Sequence, residues 1–508
     1  MPPARSIAEA YHRLTNYTAE NVRRGPTLDW AQQPPPFKEI VSQRRFPLRA
    51  HLPFPRDPFT GEPIEAPPPP LGPPPGLAEL SRLLYFANGI TGAVRFEGGG
   101  GQALRAAPSA GALYPTEIYV AVRDLPELEP GIYAYLAREH ELVALWDGDF
   151  TPDIRRACYE PGAFSDCRVF FLLTGVFWRS AWRYQERGYR RVLLDTGHVL
   201  GNLVAYAPAE RCCVVPAAAF TDPALNGLLF LDPHREATLL CAALLPEVAA
   251  SLPEPLLASR PSRAGRLKAV AITAPEDIAR SATFALHKGS SCDGNETRPE
   301  GGGEEQAAPR RTLALERDAG LEAAIPPAIL KRRSARAYSG EPCSLALLGA
   351  VLGYALGRGD DFGGGGPVRF ATREAGLFDA RLLAFRIEGL EPGLYEIEGA
   401  GRALARLASG ALQERFFELS LGQEIARTCA AAIALCAPGM ESVARYGDRA
   451  YRYLHIDAGH VGERLQIAAA ARDAGACGIG GFLDAESARL LQLPAEDWTL
   501  YWLTLGAV

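Results

Sequence analysis

A long internal repeat constrains the fold of this 508-residue chain more than any other feature. Residues 183–199 and 445–461 align without a gap at an offset of 262, and nine of their seventeen positions are identical. The same offset aligns LEPGIYAY at 128–135 with LEPGLYEI at 390–397. A period of this length is too long for a solenoid, so it predicts two copies of one globular domain. The simplest interpretation is a homodimer fused into one polypeptide.

The repeat predicts a chain of four parts. Two copies span 61–250 and 326–508, an N-terminal arm occupies 1–60, and 251–325 links the copies. Within this link, low hydrophobicity and many Gly, Glu and Ser residues predict a flexible stretch at 285–312. We therefore expect a tandem pair of domains with a mobile connection.

Each copy mixes two kinds of sequence pattern. Stretches rich in Ala and Leu at 197–210 and 459–474 predict helices, and an apolar run such as VFFLLTGV at 169–176 predicts a strand. The fold class is therefore expected to be α+β. Gly-His-Val opens both apolar stretches, and we expect Asp195 and Asp457 to act as N-caps there.

Composition excludes several classes of protein. The net charge is −6, and the basic residues form no long cluster, so we expect no nucleic-acid partner. The ten cysteines include no C-x-x-C pair and no zinc-binding spacing, so neither a disulfide framework nor a metal site is expected. No membrane-spanning apolar run and no signal peptide are apparent, which predicts a cytoplasmic protein without a membrane partner.

The functional information lies where the two copies differ. Copy two has the basic sequence KRRSARAYSG at 331–340, whereas the same offset reaches a proline tract, 61–76, in copy one. The side chains of interest are Arg332, Arg333, Ser334 and Arg336. Guanidinium and hydroxyl groups ahead of a helical run predict a site for a phosphate-like anion.

Two further differences concern small residues. Copy one has a turn of small residues made by Pro108, Ser109, Ala110 and Gly111, which would let backbone amides approach a flat ligand. Copy two has GIGGF at 478–482, where copy one has PAAAF at 216–220. Each copy thus keeps what the other has lost. This complementary loss predicts one ligand site built from both copies, with the pseudo-symmetric second site lost.

Taken together, RRSARAY, PSAGALYP, the paired LEPGIY and LEPGLY, and RYxxRxYRxxxxDxGHV resemble the flavin-dependent nitroreductase superfamily, in particular its azoline dehydrogenase branch. The resemblance implies two tandem nitroreductase-like α+β domains that form an intramolecular pseudo-dimer and bind FMN between them. It implies an FMN-dependent oxidoreductase with hydride transfer at flavin N5. With one site retained, we expect one FMN per chain, and we expect the chain to be monomeric.

The resemblance also assigns roles to residues. It implies that the four basic-segment residues hold the FMN phosphate and ribityl chain and that the turn 108–111 comes from the partner domain. Backbone near the flavin N5 edge would come from Ile479, Gly480 and Gly481. Arg183 and Tyr184, the candidate catalytic residues, stand where azoline dehydrogenases commonly carry Lys-Tyr. Because arginine stays protonated, it is a poor general base, whereas Tyr184 can exchange a proton.

Three functions remain open from the sequence. The first is oxidation of an azoline-type heterocycle in a modified peptide, and the second is NAD(P)H-dependent reduction of a nitro or quinone compound. The third is a non-catalytic scaffold that binds a flavin or a peptide. The expected partners are therefore a small-molecule or peptide substrate, with NAD(P)H as an alternative electron donor.

Overall fold

A computed structural model of the chain contains two α+β domains with the same order of elements. It describes residues 4–23, 28–56, 61, 63, 75–96, 101–160, 162–246, 267–294, 312–316, 318, 320–357, 379–399 and 401–508. Most of the proline tract 61–76, most of the stretch 285–312 and the copy-two counterpart of the turn 108–111 lie outside these ranges.

From residue 116 of copy one and residue 379 of copy two onward, the strands and most of the helices recur at the offset of the repeat. The described helices are α1 Ile7–Thr15, α2 Ala19–Arg23, α3 Leu77–Asn88, α4 Thr151–Ala157, α5 Phe177–Tyr184, α6 Gly188–Tyr206, α7 Asp222–Leu228, α8 Ala282–Gly289, α9 Ile325–Lys331, α10 Leu345–Leu356, α11 Gln413–Leu419, α12 Glu424–Thr428, α13 Gly439–Tyr446, α14 Ala450–Ala471 and α15 Asp484–Leu490. The described strands are β1 Arg45–Pro47, β2 Ile90–Arg95, β3 Gly101–Arg105, β4 Thr116–Val122, β5 Gly131–Leu136, β6 Glu141–Asp147, β7 Val169–Val176, β8 Cys212–Ala217, β9 Glu236–Pro246, β10 Thr312–Ala314, β11 Asp379–Ala384, β12 Gly393–Glu398, β13 Ala403–Ser409, β14 Ala431–Ala437, β15 Ala474–Ile479 and β16 Trp498–Ala507.

Each domain is built on an antiparallel seven-stranded sheet. The strand order is β1-β6-β5-β4-β7-β9-β8 in copy one and β10-β13-β12-β11-β14-β16-β15 in copy two, which is the same topology. The central strands β7 and β14 are buried on both faces because helices cover them, which explains their continuous apolar runs. The predicted α+β class and the tandem pseudo-dimer are confirmed.

The central helices α6 and α14 pack against each other with unusually close backbones. A Cβ atom on Gly197 would lie 2.1 Å from the carbonyl oxygen of Ile456, and one on Gly459 would lie 2.1 Å from that of Leu194. No side chain fits at either position, so this crossing requires glycine. The glycine shared by both copies of the repeat is therefore explained by the helix pair.

Reciprocal buried ion pairs join the two domains. Three charged positions recur and exchange partners across the interface: Arg187, Arg190 and Asp484 on one side, and Arg449, Arg452 and Asp222 on the other. Arg187 and Arg190 lie 2.7 and 2.9 Å from the carboxylate oxygens of Asp484. Burial raises the pKa of Asp222, but the two facing arginines outweigh it and lower that pKa to about 2. The interface thus has approximate two-fold symmetry.

A short helix precedes each domain and packs on the other domain. After α1, Tyr17 forms a parallel bridge with Leu483 of copy two. After α8, Cys292 forms the equivalent bridge with Thr221 of copy one. Since positions 221 and 483 are related by the repeat offset, α1 and α8 are equivalent elements that cross to opposite domains.

Helix α8 lies where the sequence predicted the linker and the start of its flexible stretch. Leu286 and His287 in this helix are buried, and Arg452 Nη2 donates a hydrogen bond to the His287 carbonyl oxygen at 2.5 Å. In the equivalent contact, Arg190 Nη2 donates to the His12 carbonyl oxygen at 2.8 Å. Burial of its apolar side chains therefore makes this part of the link an ordered piece of the interface. Within the described ranges, no helix is both long and apolar enough to cross a membrane.

Candidate functional site

A cavity of about 470 Å³ lies between the two domains and is lined by residues of both. Eleven of the residues predicted from the sequence line it: Pro108, Ser109, Ala110, Gly111, Arg183, Tyr184, Ser334, Arg336, Ile479, Gly480 and Gly481. The cavity therefore brings together the turn of copy one with the basic segment and the glycine loop of copy two. Its size is typical of a small-molecule or cofactor site.

The turn at 108–111 is held in place by helix α6. The Ser109 hydroxyl donates to Asp195 Oδ2 at 2.6 Å, and the Ala110 amide points at Oδ1 at 3.4 Å. Gly111 has a φ of +67°, a conformation that favours glycine. The N-cap prediction for Asp195 was wrong, because α6 begins at Gly188 and runs past it. Its carboxylate fixes the cavity wall instead.

The basic segment 332–336 follows α9 and runs beside strand β15. The Ala335 amide donates to the Ala476 carbonyl oxygen at 2.9 Å, which keeps the segment extended. Ser334 and Arg336 are two residues apart and both line the cavity, as alternation in an extended segment allows. The next helix, α10, begins well beyond the segment. The predicted helix N-terminus therefore takes no part in this site.

Two of the predicted cofactor-binding residues do not line the cavity. Arg332 donates from Nε and Nη2 to the Ala106 carbonyl oxygen, at 3.1 and 3.0 Å. Arg333 donates from Nη2 to the Thr91 carbonyl oxygen at 2.6 Å. Backbone acceptors thus take up their guanidinium groups, and Ser334 and Arg336 remain as the part of the segment open to a ligand.

A buried carboxylate lies behind the cavity wall. Glu463 on α14 is fully buried, and neither of its oxygens has a hydrogen-bond partner among the described residues. Arg332 Nε lies 3.4 Å away, and Gly201, the residue equivalent to Glu463 in copy one, packs against it. Burial raises the pKa of Glu463 to about 7, although Arg332 and His198 oppose the rise. The side chain therefore titrates close to neutral pH.

Glu463→Gln is expected to gain stability over the natural chain by about 2–3 kcal/mol between pH 5 and pH 8. Glu463 keeps its proton to about pH 7 when folded but loses it near pH 4.5 when unfolded, so rising pH destabilises the natural chain. Urea unfolding across this range measures the difference. Glu486→Gln, at a partly exposed site, is the control, and parallel curves for natural chain and Glu463→Gln would contradict the shift.

Sequence reasoning missed Arg191, which the structure places in the cavity. Its side chain is 5% exposed, and its Nε has no partner in the described part of the chain. A Cβ on Gly480 would lie 1.4 Å from Arg191 Nη1, so the guanidinium occupies space that only glycine leaves open. In the other copy, Tyr453 stands at the position equivalent to Arg191, and Ala218 at the position equivalent to Gly480. That paired difference inside the repeat was the signal that could have identified Arg191.

Two guanidinium groups lie beside the ring of Tyr184. Those of Arg191 and Arg183 lie 5.2 and 5.8 Å from its ring centroid, and its hydroxyl is 3.0 Å from where a Gly111 Cβ would be. Burial raises the pKa of Tyr184 and the two arginines oppose the rise. The phenol therefore keeps its proton at neutral pH and can donate it or a hydrogen bond.

The arm contributes a residue to the cavity that the sequence did not predict. Tyr17 lines the cavity, its amide donates to Asp484 Oδ2 at 2.7 Å, and the Arg187 guanidinium lies 4.2 Å from its ring centroid. The arm has no counterpart at the main offset, so the repeat gave no signal for it. The site is therefore completed by the segment that crosses between domains.

The charges of the cavity suit an anionic ligand. Arg183, Arg191 and Arg336 line it, and none has a hydrogen bond or an ion pair among the residues that the structure describes. The acidic side chain in the lining is Asp195, which is engaged by the turn. The described side chains include no group of His, Cys, Asp and Glu residues arranged to hold a metal ion. A flat, phosphorylated cofactor such as FMN fits these residues.

Comparison with known proteins agrees with this geometry. Residues 73–244 and 329–507 each match the Nitroreductase family. The crystal structure of a "putative nitroreductase" from Anabaena variabilis superposes with a TM-score of 0.84, at 30% identity over 99% of this chain and 100% of that one. The family match and the fold thus define a tandem pair of oxidoreductase domains with a cavity between them. The chain belongs to the nitroreductase family, whose members are flavin-dependent oxidoreductases, and the resemblance seen in its sequence is confirmed.

Two curated relatives match single portions of the chain. One, from Methanocaldococcus jannaschii, bears the name "Putative nitroreductase MJ1384" and is 31% identical over 153 residues, 30% of this chain and 73% of that protein. The other is the trifolitoxin-processing protein TfxB of Rhizobium leguminosarum bv. trifolii, 30% identical over 168 residues. That match spans 32% of this chain and 44% of TfxB, less than half of the relative.

Proposed function

We propose that the cavity binds FMN and that the chain is an FMN-dependent dehydrogenase. The observation that supports this proposal is that Arg336, which has no ion pair among the described residues, and Ser334 line the cavity together with the turn 108–111 of copy one and the loop 478–481 of copy two. Arg336 and Ser334 would hold the phosphate, since guanidinium pairs well with phosphate oxygens. The turn 108–111 and the loop 478–481 would flank the ring system.

The protein's own residues would position the substrate and supply a proton. Bound FMN supplies the hydride chemistry, which belongs to the cofactor. Tyr184 lies at the cavity wall with a protonated phenol, so it can hydrogen-bond the substrate or exchange a proton with it. Arg183 remains a cation and can bind or orient a negative group.

The favoured substrate is an azoline-type heterocycle in a modified peptide. Similarity to TfxB, a protein named for processing trifolitoxin, supports a peptide substrate. The Arg183-Tyr184 pair departs from the Lys-Tyr of azoline dehydrogenases at its first residue and keeps the tyrosine, the group able to exchange a proton. Proton transfer would then depend on Tyr184.

Reduction of a nitro or quinone compound is the second candidate, favoured by the relatives that are named as nitroreductases. Anaerobic titration of the flavin-loaded protein separates the two reactions. Bleaching of the flavin by an azoline-containing peptide supports the dehydrogenase, whereas bleaching by NADH or NADPH supports the reductase. A flavin that neither reagent bleaches would overturn both.

Saturated protein is expected to carry one FMN per chain. Ala218 and Ala219 stand where the functional loop has Gly480 and Gly481, and the main repeat offset aligns the proline tract with the basic segment. Burying a phosphate dianion without a cationic partner is strongly disfavoured. Flavin absorbance against amino-acid analysis gives the ratio, and a value near two would contradict a single site.

In a titration of flavin-free protein with FMN, Arg336→Ala should weaken FMN binding about 10- to 150-fold, the usual effect of losing a hydrogen bond to a charged group. Arg333→Ala is the matched control, because Arg333 contacts Thr91 and does not line the cavity. Equal losses in both variants would mean that the phosphate lies elsewhere on the segment.

A further inference from the structure

Three arginines line the cavity, and Arg191 lies apart from Arg336. Ser334, near Arg336 in the chain, pairs with Ala476 in β15, and Gly480, which contacts Arg191, follows four residues later, just after β15 ends. At the rise of a β-strand these points are about 13 Å apart. Arg191 is therefore at the far end of the strand from the proposed phosphate site, and its charge calls for a different anion.

Arg191 is built into the site rather than left at its surface. It is nearly fully buried, its Nε has no partner in the described residues, and its guanidinium fills the space left by Gly480. Burying an unpaired cation is costly, so such a group is expected to have an anionic partner in the working protein. The described residues supply none.

Arg183 places a second cation beside the first. It enters the cavity from the end of α5, next to Tyr184, and its Nη1 lies 3.5 Å from where a Gly111 Cβ would be. The two guanidinium groups lie within 6 Å of the Tyr184 ring centroid, at 5.2 and 5.8 Å. Two guanidinium forks and a phenol O–H are the donors that bind a carboxylate well.

Comparison of the two halves ties Arg191 to the retained site. Arg183 and Tyr184 recur as Arg445 and Tyr446, but Arg191 is replaced by Tyr453. The glycine that makes room for Arg191 is also absent from that half, where Ala218 stands. The cation and the space for it therefore occur only on the side that has Ser334 and Arg336.

We propose that Arg191 and Arg183 form a carboxylate-binding subsite, so that the substrate of this oxidoreductase carries a free carboxylate near its reacting atoms. The inference rests on the proposed function, since it concerns the substrate end of the same cavity. Arg191 would bind the carboxylate from its buried position, and the exposed Arg183 would supply the second guanidinium group. The Tyr184 ring lies beside both guanidinium groups, so its hydroxyl would be close to the reacting part of a substrate held there.

Benzoate and benzamide, two probes of the same shape that differ in charge, test the subsite. Binding to the FMN-loaded full chain is followed by the change in flavin absorbance and by calorimetry. Benzoate should bind, and Arg191→Gln should weaken it by about tenfold or more while leaving benzamide affinity unchanged. Arg191→Lys should restore part of the loss, and Arg445→Gln, outside this cavity, should have no effect.

Each other outcome is decisive. No benzoate binding, or equal weakening of both probes by Arg191→Gln, would overturn the subsite. A shift in flavin reduction potential with unchanged benzoate affinity would assign Arg191 to the cofactor and also overturn it. If the protein takes up no flavin, the proposed function fails, yet a calorimetric loss of benzoate affinity in Arg191→Gln would still support the subsite.

Discussion

Asp222→Ala is expected to lower the free energy of unfolding by about 3–5 kcal/mol at neutral pH, as is usual when a buried ion pair loses one partner. The substitution leaves Arg449 and Arg452, both buried, without their anion. Urea unfolding of the full chain measures the loss. In the natural chain this contribution is present above about pH 4 and lost as the pH falls to about 2, because the folded state depresses the pKa of Asp222 to that value.

Asp153→Ala is the control for this prediction. Asp153 pairs with Arg156 at 2.9 Å, but both side chains are largely exposed. Exposed pairs contribute about 1 kcal/mol or less, so this variant should unfold almost like the natural chain. If Asp222→Ala lowered the free energy of unfolding as little as Asp153→Ala does, the ion pairs between the domains would not stabilise the fold.

Tyr184→Phe is expected to lower turnover about 10²-fold or more, the usual contribution of general acid–base catalysis, while flavin content stays the same. The variant removes the hydroxyl that lines the cavity and keeps the ring that packs beside Arg183 and Arg191. Turnover is measured with the substrate that bleaches the flavin, and flavin content by absorbance.

Tyr446→Phe is the matched control for the catalytic role. Tyr446 occupies the equivalent position in copy two and does not line the cavity. It should change turnover far less than Tyr184→Phe does. Equal small effects from the two variants would contradict a role for Tyr184 in proton transfer.

The fold and the part of the site that were predicted from the sequence are those that could be identified by comparing the two copies of the repeat. The two copies fold with the same topology, and their differences at 108–111 and 478–481 lie on the cavity. Comparison of the copies worked because shared positions such as the glycines of α6 and α14 and the arginines of the ion pairs have a structural reason. A position that changes against that background therefore stands out.

The sequence-based predictions that differ from the structure failed for physical reasons. Asp195 looked like an N-cap because Gly-His-Val follows it, but the helix extends back to Gly188 through Arg190, which binds Asp484 of the other domain. The stretch that begins at residue 285 looked flexible from its composition, but the end of α8 within it is buried by contacts from α14. Contacts between distant segments decided both cases. Tyr17 was missed for the same reason.

The replacement of Arg191 by Tyr453 has a consequence for the evolution of the chain. In a homodimer one gene encodes both sides of the interface, so every mutation is inherited by both sites at once. Here each half has its own codons, so positions 191 and 453 can differ, and they do. A substitution that would alter both sites of a homodimer at once therefore alters only one side of this interface.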